Sequence, residues 1–375
     1  MIPIAKPYLT EDEAKSAYDA VLSGWVTQGP KVKEFEEKFA KYTGAKYAVA
    51  VSSCTTALHL AMIVAGIGKD DEVICPSMSY IATANSIKYS GAIPVFAEVN
   101  SDYNLDPADV EKRITKKTKA ILLVHQMGMP ADIDAFQELC NRHSLIMIED
   151  AACAAGSSYK GRKIGTHSEL VCFSFHPRKV ITTGDGGMIT TSSETFYNRL
   201  KILRQHGMSI NDRDRHLSSK ILFEEHVEVG YNYRMTDIQA AVGIRQLEKL
   251  DWLIEERRKI AQQYLKAFQN LKAFRLPIEK YGYFTNYQSF SIYLKTPSAG
   301  KRNEFMQKLL EQGISTRRGI MLSHKEKAYT DLNYHIQLPI SEDLNENSMI
   351  LPLYVPMEQE DILMVIQTIL GLAGV

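Results

Sequence analysis

Cysteine is scarce in this chain. Five residues of 375 (Cys54, Cys75, Cys140, Cys153 and Cys172) are scattered so that no two form a C-x-x-C pair. An odd, dispersed set excludes a disulfide-stapled scaffold and offers no zinc-site spacing; it reads as free thiols in a reducing cytosol, with no metal expected. Long apolar runs are missing too. Nowhere do 18 apolar residues follow one another, so no membrane-spanning helix is expected. The opening MIPIAKPYLTEDEAKS has no basic patch ahead of an apolar core and does not read as a secretory signal. Neither sign of charge is in excess: Lys+Arg and Asp+Glu number 44 each. With no basic run and no nucleic-acid motif, a nucleic-acid partner is not expected, although neutrality leaves room for a local phosphate pocket. The dinucleotide fingerprint G-x-G-x-x-G is absent. GSSYKGRK (Gly156–Lys163) fails as a P-loop, because Arg162 and Lys163 stand where Lys and Ser or Thr are required. It is expected to be a surface turn.

What is present is ordinary globular material, 45% hydrophobic and 23% charged, in a chain too long for one small core. Short apolar runs predict strands at Tyr47–Ser52, Glu72–Cys75, Ile93–Val99, Ala120–Val124, Leu145–Glu149, Leu170–Phe175 and Gly187–Thr191. They are rich in Val, Ile, Leu and Phe with little alternation, as strands buried on both faces are. Helical patterns fall between most of them, at Thr55–Val64, Ile81–Tyr89, Pro107–Ile114 and Ile133–His143. Alternation of this kind predicts an α/β fold with a mostly parallel sheet between helices. The last two runs have no helix between them, so the final strand is expected to enter in another direction. A charged amphipathic stretch from Asp237 to about Leu271 follows. After it come a strand-like Tyr287–Leu294, a helix near Lys301–Gln312 and a closing helix near Gln359–Leu372. This predicts a large unit over residues 1–245 and a smaller α+β unit over 246–375, with the segment before residue 47 packing on the small unit or on a partner subunit.

Four places could carry chemistry. The strand ending in Glu149-Asp150 delivers a carboxylate to the sheet's carboxyl edge, where open α/β sheets bind ligands; a helix cap is the ordinary alternative. Lys179, in CFSFHPRKVITTGDGG, sits between a strand and a glycine-rich turn, whereas most lysines are solvated. Partial burial there is expected to lower its pKa and make it a nucleophile toward an aldehyde. In VSSCTTALHL (Val51–Leu60) a strand passes through small residues into a helix start, whose free amides suit a phosphate; plain capping needs no ligand. Tyr80, after the turn that ends the second strand, could stack on a planar ring or simply pack in the core.

In this order the four elements resemble the DegT/DnrJ/EryC1/StrS sugar aminotransferases, a family within the fold-type I pyridoxal-phosphate enzymes. The resemblance runs through Ser23–Ala61, Asp71–Ile87, Pro130–Phe136, Ile148–Gly161, Ser174–Gly187, Gly230–Gly243, Ile314–His324 and Leu351–Met357. It implies a large seven-stranded mixed sheet with a smaller C-terminal domain. It implies that Lys179 holds pyridoxal 5'-phosphate as a Schiff base, that Asp150 pairs with the ring nitrogen and that Tyr80 stacks on the ring. Cys54, Thr55 and Ser174 match phosphate-holding positions. Asn232 matches an asparagine reaching the phosphate from a neighbouring subunit, which implies a homodimer with shared active sites. Trp25, Gln28, Arg317, Arg318 and His324 lie in matched loops on the substrate side. One position departs: three residues after Asp150, near the cofactor ring, many members carry Gln or His, and here Cys153 stands, a weak donor by comparison.

The implied reaction moves an amino group, with glutamate as expected donor, to a keto sugar, expected to be nucleotide-linked, in surface or secondary-metabolite glycan biosynthesis. A smaller phosphorylated ketone would fit the same core. A dehydratase relative should have His at position 179. A non-catalytic regulator should lack Lys179 or Asp150 or carry a DNA-binding domain. A nicotinamide oxidoreductase lacks its fingerprint.

Overall fold

The structure is a computed structural model that describes residues 1–210, 221, 223–295, 299–330 and 336–374. Seven strands form its main sheet: β1 (Tyr47–Val51), β2 (Glu72–Pro76), β3 (Ile93–Ala97), β4 (Thr118–Val124), β5 (Ile146–Asp150), β6 (Leu170–Ser174) and β7 (Gly187–Thr191). Their spatial order is β1-β7-β6-β5-β4-β2-β3. All run parallel except β7, which is antiparallel to both β1 and β6. The reversal expected between the last two strands is what occurs. A strand returning directly from its neighbour needs no crossover helix, so the Lys179 loop joins β6 to β7 on one edge.

Within a strand, successive side chains enter different cores, as the pleat requires. Ala48 and Ala50 of β1 and Val171 and Phe173 of β6 join one core cluster; Val49 and Val51, and Leu170 and Cys172, join the other. Burial on both faces explains the unalternating sequence. The first cluster takes α2 (Pro30–Thr43), α6 (Ile133–His143) and α8 (Asp237–Phe268); the second takes α3 (Cys54–Val64), α4 (Ala82–Tyr89) and α7 (Glu194–Leu203), with α5 (Pro107–Lys112) between α4 and α6 in the chain.

The 32-residue α8 is about 48 Å long at the usual rise per residue. It is started by a Thr236–Gln239 capping box and runs without a break past residue 245. Its first residue, the buried Asp237, caps another helix: its carboxylate accepts from the backbone N–H of Gly29 (2.7 Å), Val32 (2.9 Å) and Lys31 (3.0 Å) at the start of α2. A second sheet is wholly antiparallel, with β8 (Phe274–Arg275), β9 (Phe290–Leu294), β10 (Arg317–Arg318) and β11 (Ser348–Leu351) in the order β8-β9-β11-β10. The strand expected at Tyr287–Leu294 starts only at Phe290, because Tyr287 adopts φ 46°, outside strand geometry. Gly156–Lys163 is a turn and hairpin, with Ser158–Tyr159 paired to Arg162–Lys163. Helices Ala299–Glu311 and Gln359–Ala373 match the two expected late ones. The segment before residue 47 divides: Ile2 bridges to Ile314, α1 (Glu11–Leu22) is tied to Gln246 and Lys249 of α8 through Glu13, and α2 packs on the main sheet.

Candidate active site

Because the parallel strands share a direction, their carboxyl ends meet on one edge. Asp150 closes β5, Ser174 closes β6, the Ser52–Thr55 turn follows β1, and the Ser77–Thr83 segment follows β2. The reversed β7 begins on the same edge, directly after the Lys179 loop. Sheet topology alone therefore gathers the four elements found in the sequence.

Asp150 is 5% exposed. Its Oδ2 accepts from Thr83 Oγ1 (2.9 Å) and its Oδ1 from the Ala152 amide (3.1 Å). Burial raises its pKa above the usual carboxylate value, against the opposing pull of those two donors and of Lys179. Lys179 Nζ donates to Cys153 Sγ at 3.2 Å. The lowered pKa expected for Lys179 is not what the structure gives. Burial does push it down, but Cys153, Cys54 and Asp150 around the amine outweigh burial, and the net direction is up. Cys153 is the first of these partners, ahead of Cys54 and the buried carboxylate of Asp150, and together they favour the ammonium.

The α3 N-terminus is capped by Ser53, whose Oγ accepts from the Thr56 amide (3.2 Å), with Cys54 and Thr55 in the first turn. Gly187 makes the close packing of this turn against β7 possible: a Cβ there would lie 2.4 Å from both the carbonyl carbon and oxygen of Ser53. Ser174 is buried beside the same turn's strand neighbours, its Oγ accepting from the His176 amide (3.4 Å). Tyr80 is 71% exposed, so core packing is not its role, and its ring stands open at the edge. Asn232 is exposed, on a segment bridged to Gln205, with no hydrogen bond linking it to Lys179 or Asp150 in this chain.

The substrate-side candidates divide. Arg317 and Arg318 form the short exposed β10, and Arg317 is close enough to Arg178, Arg318 and Tyr80 to feel their charges; burial first, then Arg178 and Arg318, lower its pKa. Trp25 and Gln28 are half-buried just ahead of α2. His324 is 4% exposed and already engaged, with Nδ1 on Ser77 Oγ, its amide donating to the same hydroxyl and Nε2 3.3 Å from Glu342. It holds the turn that carries Tyr80.

Several supporting residues escaped the sequence reading. Thr83 orients Asp150 and is itself bonded to Ser79 (2.7 Å). Gln288 donates to the Arg178 carbonyl (2.6 Å), Asn286 to the Cys153 carbonyl (2.9 Å), and Gln246 accepts from the Thr182 amide (3.1 Å), so the Lys179 loop is pinned from two sides. Behind Asp150, the fully buried His125 bonds to Glu149 through Nε2 (2.8 Å). Its Nδ1 accepts from the Ala131 amide, which fixes the tautomer that donates to Glu149. Burial resists ionisation of Glu149, yet His125 carries its pKa below the usual value.

The pattern of the DegT/DnrJ/EryC1/StrS aminotransferase family matches residues 7–370. The chain belongs to that family. An uncharacterized protein of Methanocaldococcus jannaschii is 36% identical over 372 residues, 98% of this chain and 96% of its own. Spr1654 of Streptococcus pneumoniae, solved in its PMP-form, superposes with a TM-score of 0.94 at 28% identity over 100% of this chain and 99% of its own. Helicobacter pylori PseC, an aminotransferase involved in pseudoaminic acid biosynthesis, gives 0.92 at 28% over 99% and 98%. The family member described here is thus a fold-type I, pyridoxal-phosphate-dependent aminotransferase. Its own residues fit that cofactor: a buried carboxylate for a ring cation, a helix start packed against Gly187 with Cys54 and Thr55 in its first turn for a phosphate, an open aromatic face and a lysine beside Cys153.

Proposed function

We propose that this enzyme transfers the amino group of glutamate to the carbonyl of a nucleotide-linked keto sugar, in the cytoplasm, as a homodimer whose active sites are shared. The observation that carries the reading is the convergence of Lys179, Asp150, Tyr80 and the α3 start on one sheet edge. Pyridoxal phosphate, when bound, supplies an electron sink for the carbanion formed at the amine-bearing carbon. Asp150, ionised and held by Thr83, would keep the ring nitrogen protonated. Cys54, Thr55 and Ser174 would seat the phosphate, and Tyr80 would cover the ring. Lys179 would carry the cofactor, then use Nζ to take the proton from the donor's amine-bearing carbon and return it in the reverse half-reaction. The open arginines Arg317 and Arg318 beside Tyr80 support an anionic acceptor, and the exposed Asn232 supports a reach to a partner's phosphate.

The test is an absorbance spectrum of the wild type and of Lys179→Ala, before and after glutamate. The wild type should show a visible cofactor band that glutamate abolishes, and the variant should lack it. A band that persists with glutamate and falls with another amine would replace the donor, whereas no band after incubation with pyridoxal phosphate would end the reading. A panel of nucleotide-linked keto sugars and small phosphorylated ketones then decides the acceptor.

A further inference from the structure

The Cys153 thiol lies 3.2 Å from the amine of Lys179, the nucleophile on which the proposed function rests. Both partners are held by one short segment: Asn286 donates to the Cys153 carbonyl at 2.9 Å, and Gln288 donates to the carbonyl of Arg178, next to Lys179, at 2.6 Å. Gln246 pins the far side of the loop through Thr182. Sulfur and nitrogen are therefore within hydrogen-bond distance on backbones tied to one segment, which turns a second-order reaction into a local one. Cys153 is also set apart from the other four cysteines. Cys75, Cys140 and Cys172 are buried; Cys54 is partly exposed like Cys153, but it is the Cys153 sulfur that accepts from the Lys179 amine, the setting of oxidation-prone cysteines.

We propose that Cys153 and Lys179 form a reversible oxidative cross-link site that takes Lys179 out of reach of its cofactor. Hydrogen peroxide is the oxidant. The Cys153 sulfur attacks the peroxide, the O–O bond breaks, and sulfenic acid and one water form. The Lys179 lone pair then attacks that sulfur; the S–O bond breaks, a second water leaves with a proton from nitrogen, and an S–N bond joins the side chains. Sulfur is oxidised by two electrons and the peroxide is reduced to water. A dithiol reverses the step by reducing the S–N bond and becoming a disulfide. Because its neighbours hold Lys179 as the ammonium, the link forms faster as pH rises and the amine is freed. Cofactor already tied to Lys179 protects it; enzyme left aminated by donor, with the lysine free, is the sensitive form.

The experiment treats purified enzyme with hydrogen peroxide, as isolated and after excess glutamate, and reads intact mass, peptide maps and the visible band. Donor-treated enzyme should lose the mass of two hydrogen atoms, yield a joined peptide pair containing Cys153 and Lys179, and recover the thiol with dithiothreitol and the band once a keto acid is then supplied. Enzyme with the band intact should resist. Cys153→Ser should lose the cross-link, and Cys140→Ser should keep it. Oxidised Cys153 with no link to Lys179, or a link that survives in Cys153→Ser, overturns the proposal. A cross-link in protein that never shows the band would sustain it while removing the proposed function; a band that glutamate abolishes, with no cross-link on later peroxide treatment, does the reverse.

Discussion

Replacing Thr83 by Val keeps the side-chain shape and exchanges the hydroxyl for a methyl, which removes the hydrogen bond donated to Asp150 Oδ2 at 2.9 Å along with the contact to Ser79. The effect follows from what that carboxylate must do. Burial raises the Asp150 pKa, so its folded value lies above its unfolded one. In that direction the ionised group costs the empty protein stability at neutral pH, and the cost is released as pH falls through the raised folded value. A proton therefore competes with the cofactor's ring cation for the same oxygens, and cofactor affinity should fall on the acid side. A hydrogen bond to a charged acceptor contributes about 1.5–3 kcal/mol. Without it, at the pH where wild-type affinity has dropped to half its alkaline plateau, Thr83→Val should bind pyridoxal phosphate about 7- to 80-fold more weakly. On the alkaline plateau, where both carboxylates are ionised, the two proteins should converge. The assay is a spectrophotometric titration of apoprotein with cofactor across a pH series, with Thr83→Ser as the variant that retains the donor. A deficit equal at every pH, or a Ser variant as weak as the Val variant, would refute the reasoning.

Other positions give equally direct outcomes. Gly187→Ala drives a methyl to 2.4 Å from the Ser53 carbonyl and should cost about 1–3 kcal/mol of overpacking; its loss of affinity should be larger for pyridoxal phosphate than for pyridoxal, and equal losses would show that α3 does not seat the phosphate. Asp237→Ala strands three amides at the start of α2 and should lower stability by about 1–3 kcal/mol or more in urea unfolding, with Asp237→Asn in between. Glu13 is resisted by burial but held by Lys249, Thr10 and Gln246, which bring it down from 4.5 to about 2. Its stabilisation is full above 4.5 and is lost as pH falls toward 2, so the Tm deficit of Glu13→Gln should be largest near neutral pH and shrink below pH 4.5; a deficit independent of pH would mean that charge is not its source.

The parts of the site legible in the sequence are those set by local grammar. Asp150 could be found because a buried strand seldom ends on two carboxylates, and Lys179 because strand and glycines bracket it on either side. The reversed β7 was foreseeable from a missing helix. Thr83 was not: its partner lies 67 residues away, and only the adjacency of β2, β4 and β5 brings the two edges together. Gln246 and Gln288 are subtler still, since each acts on a backbone group, 64 and 110 residues distant, that carries no side-chain signature. The direction of the Lys179 shift failed for the same reason. Burial was readable from flanking apolar residues, but the sign was decided by Cys153, Cys54 and Asp150, contributed by two other strand ends. A nucleophile's identity is thus written at its own position, whereas its protonation state belongs to the sheet edge as a whole. A substitution at Cys153 or Thr83 should retune Lys179 without touching the lysine.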